Sequence, residues 1–266
     1  MIMKLIHMIC SEIKKQVRNR YFVLGVLGAA FLMILDTLSI ALYDGYTDGA
    51  GKFHFGNTVI GLLELADNTM FGLVALCACA MAAGCAHCDN EEYHMMHPIL
   101  MRSSHKKYAV STLVSCGITG FLCMGFAMLI KILVYACMVP IREGDVDAYE
   151  LATPLLRDGH HYLYMGFWMA LNGMKSAFFS MVSFTLSAFV KNKFVLVSIP
   201  VLVYYLLMRF GYGYLGPSFY IVNVRMVYFM MNHPTEGGSL LYTFIYTVIA
   251  GILFGIIFYK GIRRKY

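Results

Sequence analysis

The chain is 266 residues long, 59% hydrophobic and only 14% charged. A soluble domain of this size carries close to a quarter charged residues, so the composition excludes one and points to a membrane protein. The net charge of +6 reads as an orientation signal and gives no reason to expect a nucleic-acid partner.

The first twenty residues, MIMKLIHMICSEIKKQVRNR, are too punctuated by charge to form a cleavable signal peptide. Ile2, Ile6, Ile9, Ile13 and Val17 recur at helical spacing, with Lys4, Lys14, Lys15 and Arg18 mostly on other faces. This pattern predicts an amphipathic helix over 1–20 lying in the cytoplasmic interface; the alternative is a solvated basic tail.

Six windows then read as spans, because each holds roughly 18 or more mostly apolar residues: 21–43, 68–88, 109–139, 162–190, 194–210 and 239–259. The expected fold is an all-α membrane protein, with a six-span domain over 21–266. As a single helix the third window would be about 46 Å long, so it must tilt, bend or project, with Gly117, Gly120 and Gly125 as points of bending or close packing. Residues 211–234, GYGYLGPSFYIVNVRMVYFMMNHP, are apolar and aromatic but interrupted by Pro217 and Arg225. They predict an outward interfacial or re-entrant segment before the last span. In that span Gly251 and Gly255 form a small-xxx-small pair, expected to serve packing within the chain.

Of the Lys and Arg residues, 14 fall in the N-terminal segment and the segments on its side, against 5 on the other side. The positive-inside rule then places both termini in the cytoplasm, in a multi-pass plasma-membrane protein. None of the eight cysteines lies in the outward loops 44–67, 140–161 and 211–238, so no extracellular disulfide framework is expected. The acidic stretch 142–150 is expected to cap or solvate the neighbouring spans.

Ionisable residues inside spans are functional candidates because a charge in hydrocarbon is costly. Asp36 and Lys131 each lie about 10–12 Å from the outer end of their spans, and either pair or snorkel separately. Lys175 is about 20 Å into the fourth span, with Asn172 one turn away. It either faces a transport pathway or is buried against a partner helix. On the outer edge, His160 and His161 beside Asp158 form a candidate metal or acid–base cluster, or else are simply solvated.

The stretch CACAMAAGCAHCDNEEYHMMHP, 77–98, offers Cys85, Cys88, His94 and His97 as donors of the kinds zinc takes. Only five residues separate the two pairs, and Cys85 lies in an apolar run, where cysteine behaves as a compact hydrophobe. The expectation favours a packing face up to Cys88. A short cytoplasmic helix, about 89–100, would follow, its N-terminus stabilised by Asp89, Glu91 and Glu92.

Residues 84–108, GCAHCDNEEYHMMHPILMRSSHKKY, resemble the segment between the second and third spans of type 2 ABC transporter permeases. There an acidic residue and often an aromatic follow the second span, and a short coupling helix and a basic stretch lead into the third. The matching positions are Glu91, Glu92, Tyr93, Leu100, Arg102 and Lys107. His94 and Met95 stand where that family commonly has a Gly- or Thr-containing step. The predicted architecture as a whole is similar to that family too.

The resemblance implies the permease subunit of an ATP-driven exporter, not itself an enzyme, paired with a second copy or a paralogue. ABC ATPase subunits would hold ATP and Mg, and Asp89, Glu91, Glu92, Tyr93, Leu100 and Arg102 would couple to them. GAGKFH, 49–54, lacks the spacing and the Ser or Thr of a phosphate-binding loop, so no cofactor is expected on this chain. The expected cargo is amphipathic: an antimicrobial peptide, a lipid or a drug. Two other classes compete. A membrane-embedded enzyme would need a motif such as HExxH or GxSxG, which the sequence lacks; a channel or transporter independent of any ATPase would work without a partner.

Overall fold

The computed structural model describes residues 2–43, 70–92, 104–138, 155, 160–213 and 236–265. The described chain is helical throughout, and no strand occurs among the described residues. Among the described residues seven helices follow in order: α1 Ile2–Val17, α2 Arg20–Tyr43, α3 Met70–Glu92, α4 His105–Met138, α5 His161–Ser187, α6 Lys193–Gly213 and α7 Glu236–Lys265. Helices α2 to α7 overlap the six apolar windows. Helix suits such windows because it satisfies every interior backbone N–H and C=O within the segment itself.

By length and composition, two described helices can cross a membrane, His105–Cys137 and Gly237–Arg263. A third candidate arises if Leu5–Val17 and Arg20–Asp36, which meet at a 63° bend, are counted together. Helix α5 falls short because it carries Asn172, Lys175 and four serines.

Helix α5 is the hub, packed against α3, α4, α6 and α7. From Leu171 to Thr185 every residue except Met174 is buried. This explains its polarity: hydroxyls that face neighbouring helices can be satisfied there. Ser176 Oγ donates to Gly120 O (2.9 Å) and Ser183 Oγ to Leu196 O (2.8 Å), while the Cys116 thiol donates to Ser180 O (3.3 Å). The main core joins Met33 and Ala29 of α2, Leu76 and Cys79 of α3, Met124 and Met128 of α4, and Trp168 and Phe179 of α5. A smaller core, with Phe184, Phe258 and Ile262, closes the far end of α5 against α4 and α7.

Helix α4 runs unbroken over 34 residues, about 51 Å. Two of its glycines serve packing: Gly117 faces Met181, and Gly120 faces Ser180 so closely that a Cβ would collide with the Ser180 hydroxyl; Gly125 has nothing within 4 Å. Gly251 and Gly255 of α7 are likewise used within the chain, against Met181 of α5 and Leu113 of α4.

Two expectations are corrected. The helix expected to stop at Cys88 continues to Glu92, so Asp89, Glu91 and Glu92 form the last turn of α3 and do not open a new helix. The acidic run invites an N-terminal reading because carboxylates favour that end; here basic side chains from three other elements offset the unfavourable C-terminal placement. Helix α6 likewise extends to Gly213, so the first residues of the expected re-entrant segment are helical; 214–235 lie outside the described residues.

Candidate functional site

The end of α3 is where the fold gathers its charges. Asp89 is largely buried, with 18% of its side chain exposed, and Lys193, the first residue of α6, reaches its Oδ1 at 2.5 Å. The same ammonium lies 3.5 Å from Glu92 Oε2, and Arg20, the first residue of α2, lies 3.8 Å from Asp89 Oδ2. From α1, Lys15 Nζ donates to Asn90 Oδ1 (3.0 Å). The hydrogen bond to Asp89 holds the Lys193 ammonium above its usual pKa against a partial loss of hydration, with the charges of Asp89, Tyr21 and Glu92 adding to it. One helix end is thus tied to the starts of α2 and α6 and the last turn of α1. Each pair is solvent-screened and contributes about 0–1 kcal/mol alone, so the value of the arrangement lies in its being a network.

Beneath these ties lies a small crevice of about 20 Å³, lined by Glu12 and Gln16 of α1, Asn19 of the turn that follows it, His87 and Asn90 of α3, and Tyr108 and Thr112 of α4. That is room for roughly one water molecule among polar partners. Gln16 is buried and spans the crevice's edge: its Nε2 donates to Ser115 Oγ (3.4 Å) and its Oε1 accepts from Thr119 Oγ1 (2.6 Å). His87 is 3% exposed, with Nδ1 2.8 Å from Ser187 Oγ and its ring edge-on to Phe184 and Phe258. Helix α1 is therefore locked into the bundle by a polar side chain as well as by Val17 at the core.

Both of these residues were missed in the sequence. Gln16 stands beside the apolar series of α1, and only a break in the amphipathic pattern marks it. The signal for His87 is a histidine among alanine and cysteine before the acidic run, easily absorbed into the metal reading.

The intramembrane candidates all lie inside the protein. Lys175 is 3% exposed and donates to Asn172 Oδ1 (3.0 Å), while Asn172 Nδ2 donates to Trp168 O (3.2 Å). Asp36 and Lys131 are each 1% exposed, so neither side chain reaches the protein surface. The Lys131 ammonium sits 5.7 Å from the centre of the Tyr135 ring, within cation–π range.

Of the coupling residues expected from sequence, Asp89 and Glu92 meet at Lys193. Glu91 lies in the same turn of α3, and Tyr93, Leu100 and Arg102 lie outside the described residues. Lys107 is exposed in the first turn of α4. Cys85 and Cys88 are both buried, the Cys88 thiol 3.9 Å from Val190 O, and His94 and His97 lie outside the described residues. Among the described residues no group of three or more His, Cys, Asp or Glu is placed to hold a metal. His160 is exposed and precedes α5, its amide donating to Leu155 O (2.9 Å); Asp158 lies outside the described residues, as do 49–54 and 142–150.

Comparison with protein-family models, with characterised proteins and with solved structures gives no match.

Proposed function

We propose that this chain is the membrane subunit of an ATP-driven exporter, with six spans, both termini in the cytoplasm of a plasma-membrane protein, and separate ABC ATPase subunits that bind ATP and Mg. The observation that carries the reading is the network at the end of α3. Asp89 and Glu92 are bonded to Lys193 of α6, Asp89 also to Arg20 of α2, and Asn90 to Lys15 of α1. They immediately precede the segment 93–103, which bears the coupling-like sequence. A push delivered to that segment by closing ATPase subunits would reach three other helices through α3, and α3 also packs along the hub helix α5. Packed helices respond to such a load by switching between discrete arrangements, which is what mechanical coupling requires.

In this reading a second copy or a paralogue completes the pathway, and Lys175 with Asn172 marks its polar lining. The cargo is an amphipathic peptide, lipid or drug, because the outward loops leave no room for a binding domain. The test is export from vesicles that hold the chain with the ABC ATPase that co-purifies with it. The Glu91→Gln/Glu92→Gln variant is expected to insert and to hydrolyse ATP but to lose export. Undiminished export in that variant sinks the reading, as does conduction by the chain alone.

A further inference from the structure

Three sulfur atoms meet inside the bundle where α2, α3 and α4 converge. Cys79 Sγ of α3 lies 3.9 Å from Met124 Sδ of α4 and within hydrogen-bonding reach of the Cys123 thiol of α4. Both cysteines are fully buried and Met124 is 3% exposed. Helix α2 leaves room with Gly25, where a Cβ would stand 3.1 Å from Cys123 Sγ. Cys79, Cys123 and Met124 all belong to the main core, together with Met33, Leu76 and Met128.

We infer that this cluster is a binding site for a soft monovalent metal ion, copper(I) or silver(I), held by Cys79, Cys123 and Met124. Thiolate and thioether donors select soft ions, whereas calcium and magnesium take oxygen ligands. The 3.9 Å between Cys79 Sγ and Met124 Sδ fits, because two donors about 2.3 Å from a common centre, the usual metal–thiolate length, lie about 4 Å apart when trigonal. Three donors leave zinc one ligand short of its tetrahedron. The charge fits as well. A monovalent ion that displaces one thiol proton, released to solvent, leaves a site of zero net charge, the only kind an apolar interior holds cheaply. The inference does not depend on the transport reading.

The test uses the full chain in lipid nanodiscs, equilibrated with silver(I), desalted and assayed for silver per chain. The wild-type chain is expected to retain a tightly held equivalent and to melt at a higher temperature when it is loaded. Cys10→Ala/Cys137→Ala, which removes exposed thiols that take silver on their own, should keep both effects, and adding Cys79→Ala/Cys123→Ala to that background should lose them. Met124→Leu conserves volume and should shift the silver binding curve to weaker affinity while leaving the unloaded melt nearly unchanged. That variant decides the matter if the variant lacking Cys79 and Cys123 fails to fold. Unchanged silver binding in Met124→Leu, equal stabilisation by zinc, or a Cys79–Cys123 disulfide in the wild-type chain would each overturn the assignment.

Discussion

At the scale of single residues, α5 holds a natural comparison between two hydroxyls. Ser180 and Ser183 are both fully buried, but Ser183 Oγ donates to Leu196 O while Ser180 Oγ has no hydrogen-bond partner among the described residues. Removing a partner from a buried carbonyl costs about 1–3 kcal/mol, whereas replacing an unbonded hydroxyl by hydrogen costs little and relieves a desolvated group. Ser183→Ala should therefore lower the unfolding free energy by that amount, and Ser180→Ala should leave it unchanged or raise it. Unfolding in mixed detergent micelles reads both, and equal losses would refute the distinction. Lys193 offers a pH prediction of definite sign. Its folded pKa is raised, mainly by the bond to Asp89, so its stabilising contribution is complete below the unfolded lysine value of about 10.4. It is lost only as pH climbs through the folded value. Wild type and Lys193→Met should thus differ by a constant amount from neutrality to about pH 10 and converge above it. A gap that narrows between neutrality and about pH 10 would refute the assignment.

At the scale of elements, the Ser183 bond exists because of a proline. Pro200 lies inside α6 and has no N–H, so the carbonyl four residues earlier, Leu196 O, lacks its helical donor. Ser183 of α5 supplies that donor, and Gly84 of α3 makes space for it, since a Cβ there would collide with Ser183 Oγ. Three helices are fastened at one point. A double-mutant cycle follows: in a Pro200→Ala background the restored amide serves Leu196 O, and Ser183→Ala should then cost less than it does beside proline. Equal costs in the two backgrounds would mean that the proline and the serine are unrelated. Gly84→Ala should displace the hydroxyl and lose about 1–3 kcal/mol, the ordinary cost of overpacking. This lock shows what the sequence could reveal. Apolar runs and helical spacing located α2 to α7 within a few residues, because both depend on local composition alone. Where α3 ends was hidden, because the cations that stabilise its acidic last turn, Lys15, Arg20 and Lys193, lie far off in the chain. The same holds for Gln16, whose partners Ser115 and Thr119 are about a hundred residues away. It holds again for the sulfur cluster, which pairs the helix of one cysteine-rich run with a cysteine and a methionine of another.

At the scale of the whole molecule, the helices divide into a core and a rim. In its most apolar stretch, 56% of α4 is buried within the protein against 17% of α7, so α7 is the peripheral one. Its outward side chains include Leu241, Phe244, Val248, Ile252 and Ile256, all exposed. A continuous apolar face of this kind is untenable in water and costs nothing in hydrocarbon, which fits the membrane setting. The proposed orientation can be tested with native residues. Cys10 of α1 and Cys137 near the end of α4 are exposed, whereas Cys79, Cys85, Cys88, Cys116 and Cys123 are buried. If α1 lies on the inner surface and α4 rises outward from His105, these two thiols lie on opposite sides of the membrane. A membrane-impermeant maleimide added to intact cells should then modify Cys137 and leave Cys10 untouched until the membrane is permeabilised. Cys10→Ala and Cys137→Ala, each removing one exposed thiol and leaving the buried cysteines in place, separate the two signals and should not disturb the fold. Labelling of Cys10 from outside would invert the topology and remove the inner junction from the reach of any cytoplasmic ATPase. Asp89, Glu92 and Lys193 would then have to act on the outer surface, and the exporter reading would fall with the orientation.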